Sequence, residues 1–116
     1  MSPPVCRRGE VWLVNFNPGR GSEQKGVRPA LIIQNDVGNQ YASTTIIAAI
    51  TTTLKKYPVT VPLNRNEAGL KEPSMVNLAQ MQTIDKARLM KRFGSLKAEK
   101  LREIDAAIRI SLGLGA

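Results

Sequence analysis

The chain has no histidine and a single cysteine, Cys6. Without histidine it lacks the side chain best suited to proton transfer near neutral pH and a common nitrogen ligand for metals. One cysteine excludes an intrachain disulfide and a thiolate zinc cluster within one chain. Aromatic residues are sparse: one tryptophan, two tyrosines and two phenylalanines. The core must therefore be built from Ile, Val and Leu. No apolar run approaches the ~18 residues of a membrane-spanning helix. Met1 to Arg8 carries no apolar stretch of the kind a secretory signal needs. These absences set the expectation of a cytoplasmic protein with no membrane association. Neither GxxxxGK(S/T) nor a helix-opening GxGxxG occurs. No metal and no cofactor are expected, and an enzyme built from this chain must work with Arg, Thr, Ser, Glu, Asp, Gln or Lys.

What is present points to one small domain with a polyanionic partner. The 116 residues are 42% hydrophobic, enough for one core. Seventeen Lys and Arg against nine Asp and Glu give a net charge of +8. Such a balance favours nucleic acid or an acidic protein segment. We expect a flexible tail over residues 1–8 and a single domain over 9–116.

The elements are legible in order. Gly9 to Phe16 reads as a first strand, on the alternation of Trp12, Val14 and Phe16, and Asn17-Pro18-Gly19 breaks it. Residues 17–26 form a polar, glycine-rich connection. Val27 to Gln34 is a second strand, apolar enough to be buried on both faces. Pro29 pushes Arg28 into an extended conformation at the mouth of that strand. Asn35 to Asn39 is dense in turn formers. Thr44 to Ile50 is a β-branched third strand, closed by Thr51, Thr52 and Thr53. Val59 to Leu63 follows, with Pro62 marking an edge or an end. Ser74 to Leu78 and Gln80 to Ile84 read as fifth and sixth strands, Asp85 to Arg88 as a helical turn, and Leu89 to Phe93 as a seventh strand. Ser95 is placed to cap a helix over roughly Lys97 to Leu112, with Leu101, Ile104, Ile108 and Leu112 on one face, an Asp105–Arg109 pair on its surface and Gly113 as its stop. Many short strands and one helix predict a mainly β, half-open barrel of about seven strands closed by a C-terminal helix.

Four stretches carry a family resemblance. They are Arg8-Gly9-Glu10-Val11-Trp12 to Phe16-Asn17-Pro18; Gly21-Ser22-Glu23-Gln24-Lys25-Gly26-Val27-Arg28-Pro29; Ile46 to Ile50 with Thr51; and Gln80-Met81-Gln82-Thr83-Ile84-Asp85-Lys86 with Arg88-Leu89. From about Arg8 to Leu112 the chain resembles the MazF/PemK toxins of bacterial toxin–antitoxin pairs. The resemblance implies an SH3-like (PemK-like) barrel and a two-fold homodimer. It implies metal-independent, sequence-specific cleavage of single-stranded RNA, leaving 2′,3′-cyclic phosphate and 5′-hydroxyl ends. It also implies inhibition by a MazE-like antitoxin with an acidic C-terminal segment. The family's catalytic arginine and threonine match Arg28 and Thr51, and its loop glutamate matches Glu23.

Those residue types suit that chemistry. The RNA 2′-hydroxyl is the nucleophile, so the protein must align it and stabilise charge on the phosphorane. Arg28 offers a fork of charge-assisted donors, and Thr51 can hold a phosphate oxygen or orient the 2′-hydroxyl. Ser22, Gln24, Lys25, Lys55, Lys56, Gln80 and Gln82 are the RNA-binding candidates. Glutamine amides suit base edges and lysines suit phosphates, although any one of them alone is more often an ordinary solvated side chain. Tyr41 and Tyr57 fall in loops, so no aromatic stacking platform is expected. Three positions depart from the family: Asn77 and Ala79 stand where an arginine and an acid serve some relatives in proton transfer. Gln82 replaces a commoner arginine. Two other readings follow: a toxin of the same fold that binds DNA gyrase, or an RNA-binding module with weak catalysis.

Overall fold

In a computed structural model, residues 3–18, 25–55 and 57–115 are described. Among them six strands form one antiparallel sheet. These are β1 (Glu10–Asn15), β2 (Val27–Ile32), β3 (Thr44–Thr51), β4 (Thr60–Leu63), β5 (Ser74–Asp85) and β6 (Leu89–Ser95). Their spatial order is β4-β5-β3-β2-β1-β6. Two helices complete the fold, α1 (Asp36–Tyr41) and α2 (Ala98–Ser111). No helix among the described residues is long and apolar enough to cross a membrane.

Central β3 is rich in β-branched residues and buried on both faces from Ile47 to Ile50. Alternation therefore divides the core in two. On one face Val11, Leu31, Ala48, Ile50, Val76 and Leu78 pack with Ile104 and Ala107 of α2. On the other, Trp12, Val14, Ala30, Ile32, Ile47, Ile84 and Leu89 surround Cys6. The sheet edges are managed differently. β4 is one edge and carries the exposed Pro62, as its sequence predicts. Beside β6 lies the 3-10 turn Glu67–Gly69; a Cβ on Gly69, at φ +79°, would fall 2.2 Å from the Phe93 carbonyl oxygen. Glycine alone lets the turn approach so closely.

Several expectations are corrected. The sheet has six strands rather than about seven, because Ser74–Leu78 and Gln80–Ile84 are one strand, β5. Opposite β3, Ala48 pairs with Met81 and Ala49 with Asn77, so Leu78, Ala79 and Gln80 form a bulge. The bulge breaks the alternation and mimics a strand boundary. The turn formers at 35–39 open α1, capped by Asn35, whose Oδ1 accepts the Gly38 N–H at 2.8 Å. Tyr41 thus ends a helix rather than sitting in a loop. β2 is buried only in its second half: Val27 and Arg28 are exposed, and Ala30, Leu31 and Ile32 are buried. Ser95 ends β6, and Lys97 is the N-cap of α2 without a side-chain bond. Asp105 accepts from Arg8 Nη2 at 2.7 Å instead of pairing along the helix with Arg109. Leu112 lies beyond the helix and is exposed.

Candidate functional site

The neighbouring strands β2 and β3 carry the two sequence-predicted site residues to one cavity. Ala30 stands opposite Ala49. The paired stretch ends there, and the next same-face residues along the two strands are Arg28 on β2 and Thr51 on β3. β5 continues both rows, with Met75 opposite Thr51 and Asn77 opposite Ala49. β4 adds Thr60 opposite Asn77. The small Ala30 and Ala49 keep the second row low between the longer side chains.

A shallow cavity of about 290 Å³ opens over these rows. Its lining includes Arg28, Thr51, Thr53, Lys55, Tyr57, Thr60, Asn77 and Gln80. Arg28 and Lys55 make it cationic, and no carboxylate belongs to its described lining.

The polar groups are held with donors to spare. Arg28 Nε donates to the Lys25 carbonyl at 2.8 Å. Both Nη groups lack a hydrogen-bond partner among the described residues, so the fork is anchored at its stem and open at its tip. Thr51 Oγ1 accepts the Thr53 N–H at 3.1 Å, which leaves the hydroxyl hydrogen to donate elsewhere. Asn77 Oδ1 accepts from the Ala79 N–H at 3.0 Å within the bulge. That bond occupies the amide oxygen and leaves the NH2 group to donate elsewhere. One guanidinium, one hydroxyl and one amide, all able to donate, suit a phosphate diester better than a cation.

The remaining predicted residues are placed as follows. Lys55 and Gln80 line the cavity. Lys25 is exposed and contributes its carbonyl to Arg28. Gln82 is half-buried opposite Ile47, outside the cavity lining. Ala79 is exposed in the bulge. Ser22, Glu23, Gln24 and Lys56 lie outside the described residues. Sequence reasoning missed Thr60, brought in by the β4–β5 register, and set aside Tyr57, which lines the cavity and is 53% exposed. The Lys55-Lys56-Tyr57-Pro58 connection held the only signal for it, an aromatic among cations. Arg88 was also unassigned; its Nη1 bonds the carbonyls of Asn15 and Asn17.

Elsewhere, polar groups are shifted for structural reasons. The Arg8 backbone N–H, at 2.7 Å, holds the Asp36 carboxyl below its ordinary range. Burial pushes the Cys6 thiol up, which makes it an inert core group.

A curled antiparallel sheet, a C-terminal helix and a cationic, donor-rich cavity define a small half-open β-barrel protein. The chain belongs to the PemK-like, MazF-like toxin family of type II toxin–antitoxin systems, which matches residues 7–112. It is 44% identical over 112 residues to Endoribonuclease MazF of Staphylococcus saprophyticus, covering 95% of this chain and 93% of that relative. The crystal structure of MazF (Form-I) from Deinococcus radiodurans is 27% identical with a TM-score of 0.80, over 95% of this chain and 98% of that one. The MazE–MazF crystal structure (Form-II) from the same organism is 25% identical with a TM-score of 0.76, over 97% of this chain and 99% of that one.

Proposed function

We propose that this protein is an endoribonuclease toxin that cuts single-stranded RNA by attack of the 2′-hydroxyl on the adjacent phosphorus. The observation that carries the reading is the meeting of Arg28 and Thr51 in one cavity, each anchored by one bond and each with a donor to spare. In this reaction the O2′–P bond forms and the P–O5′ bond breaks, giving a 2′,3′-cyclic phosphate and a 5′-hydroxyl. The Nη groups of Arg28 and the hydroxyl of Thr51 donate to the non-bridging oxygens as negative charge builds. Each such donor stabilises the transition state by ~2.7–4 kcal/mol. Glu23 is assigned to proton transfer from the 2′-hydroxyl, and the leaving O5′ takes its proton from solvent. Lys55 neutralises a neighbouring phosphate, and Tyr57, Asn77 and Gln80 face the flanking nucleotide. Ser22, Gln24, Lys25, Lys56 and Gln82 complete the RNA contacts in this reading.

A MazE-like antitoxin fits the same surface. Acidic side chains of its C-terminal segment present carboxylates to Arg28 and Lys55 in place of phosphates, so inhibitor and substrate compete. A two-fold homodimer is part of the proposal and is checked by light scattering. The lack of a carboxylate in the described lining, with Ala79 in place of an acid, favours one second reading: an RNA-binding module with weak catalysis.

Incubation with a long mixed-sequence RNA in excess EDTA separates the two. Discrete cuts with 5′-hydroxyl ends, relieved by antitoxin, are the expected result. Binding without cuts, by folded and antitoxin-free protein, would replace the enzyme reading with the module. It would also make Ala79→Asp the first variant to test for gain of cleavage.

A further inference from the structure

We propose that Arg88 is a positioning residue for Arg28, acting through the backbone on both sides of the loop between β1 and β2. This inference rests on the reading of Arg28 given above. Arg88 is half-buried, and its Nη1 donates to the carbonyls of Asn15 at 3.0 Å and Asn17 at 2.6 Å. It makes no ion pair among the described residues. Its charge is spent on two main-chain oxygens, where charge-assisted bonds are stronger than neutral ones.

Those two carbonyls sit where the chain leaves β1. Asn17 is also tied to the returning chain: its Oδ1 accepts the Gly26 N–H at 2.9 Å. The Phe16 N–H donates to the Gly26 carbonyl at 2.8 Å, locking exit and return together. Next to Gly26, the Lys25 carbonyl accepts Arg28 Nε at 2.8 Å. The contacts therefore run without a gap from Arg88 through Asn17, Gly26 and Lys25 to Arg28.

The far end of this relay is rigid. Arg88 closes the 3-10 turn Lys86–Arg88, whose Asp85 cap accepts the Ala87 N–H at 2.8 Å. The next residue, Leu89, is buried and pairs with Val14 of β1. Arg28 by contrast is exposed, with a long side chain that has many rotamers. Its guanidinium is aimed only as well as the Lys25 carbonyl is fixed. A displacement of about 1 Å at a reacting group can cost on the order of 100-fold in rate.

The test measures single-turnover cleavage, affinity for an uncleavable 2′-deoxy oligonucleotide, and the Arg28 Nε–H signal by nitrogen-edited NMR. The proteins are wild type, Arg88→Gln, Arg88→Lys, Arg28→Ala and the double variant Arg88→Gln/Arg28→Ala. Arg88→Gln is expected to slow cleavage about 10- to 100-fold, with affinity kept within about threefold and the Arg28 signal broadened. Arg88→Lys is expected to recover most of the rate, because an ammonium can donate to both carbonyls. In the Arg28→Ala background, Arg88→Gln is expected to add nothing. A folded Arg88→Gln protein cleaving at the wild-type rate would overturn the proposal. So would an equal further slowing of Arg28→Ala, the mark of plain destabilisation. If Arg88→Gln does not fold, Arg88→Lys decides: an unchanged Arg28 signal with a slowed rate overturns the relay. If wild type and Arg28→Ala cleave equally, the catalytic reading of Arg28 fails, and the NMR signal alone still decides whether Arg88 holds it.

Discussion

The two ends of β3 carry polar groups of opposite character. At the Thr44 end the groups satisfy one another. Thr45, fully buried, donates to Asn39 Oδ1 at 2.7 Å. Gln34 Nε2 donates to the same oxygen at 3.1 Å and to the Thr44 carbonyl at 3.0 Å. Asn39 Nδ2 returns bonds to the Gln34 carbonyl and Asp36, and the buried Lys86 donates to the Asn39 carbonyl. At the Thr51 end, Arg28 and Thr51 are each anchored by one bond and retain donors with no partner among the described residues. Saturated polar groups hold a fold together; polar groups fixed at one atom and spare at another are prepared for a ligand. Identity of side chain does not separate the two cases, since threonine serves in both.

Substitutions can break this contrast at either end. The largest effect is expected from Arg28→Ala and Thr51→Val, each lowering the cleavage rate about 10²–10³-fold. Because Arg28 is exposed and Thr51 partly so, their thermal unfolding should stay close to wild type. A matching loss of stability would place these residues with the structural end. Asn39→Ala should do the reverse, destabilising the fold by about 1–3 kcal/mol or more in urea titrations because several buried partners lose their bonds. Its cleavage rate per folded molecule should persist; a selective loss of rate would dissolve the contrast.

Smaller effects sharpen it. Lys55→Ala should weaken RNA binding severalfold and reduce the slope of log affinity against log salt by about one. An unchanged slope would remove Lys55 from the phosphate path. The smallest effect concerns Asp36, whose carboxyl is held below its ordinary range by the Arg8 N–H. A lowered folded value means its contribution is present above the unfolded carboxylate range and is lost as pH falls through the folded value. The stability gap between wild type and Asp36→Asn should therefore be widest near neutrality and narrow in acid. A gap that widens in acid would reverse the assigned sign.

The sequence made legible what local pattern controls. An apolar run marked β2, a β-branched run marked β3, period 3.6 marked α2, and Arg28-Pro29 placed an arginine at a strand mouth. The resemblance then singled out Arg28 and Thr51, and the adjacency of β2 and β3 explains why residues 23 positions apart line one cavity. What failed depended on distant contacts or on short elements. The Leu78–Gln80 bulge split β5 in two because alternation is blind to an unpaired insert. α1 was too short to show a helical period, and its stability rests on buried Asn39. Thr60 entered the cavity through pairing with Asn77, and Arg88 reached Asn15 and Asn17 from more than 70 residues away. No local pattern encodes such meetings.

At the centre of this account, the cavity supplies donors for developing charge while the RNA supplies its own nucleophile. The direct measurement uses an RNA with one 2′-deoxynucleotide at a mapped cut site, beside the unmodified RNA, in EDTA. The account predicts that wild-type protein binds both with similar affinity and leaves the modified site intact. Cutting at that site at the unmodified rate would show that the nucleophile comes from elsewhere and would contradict the account.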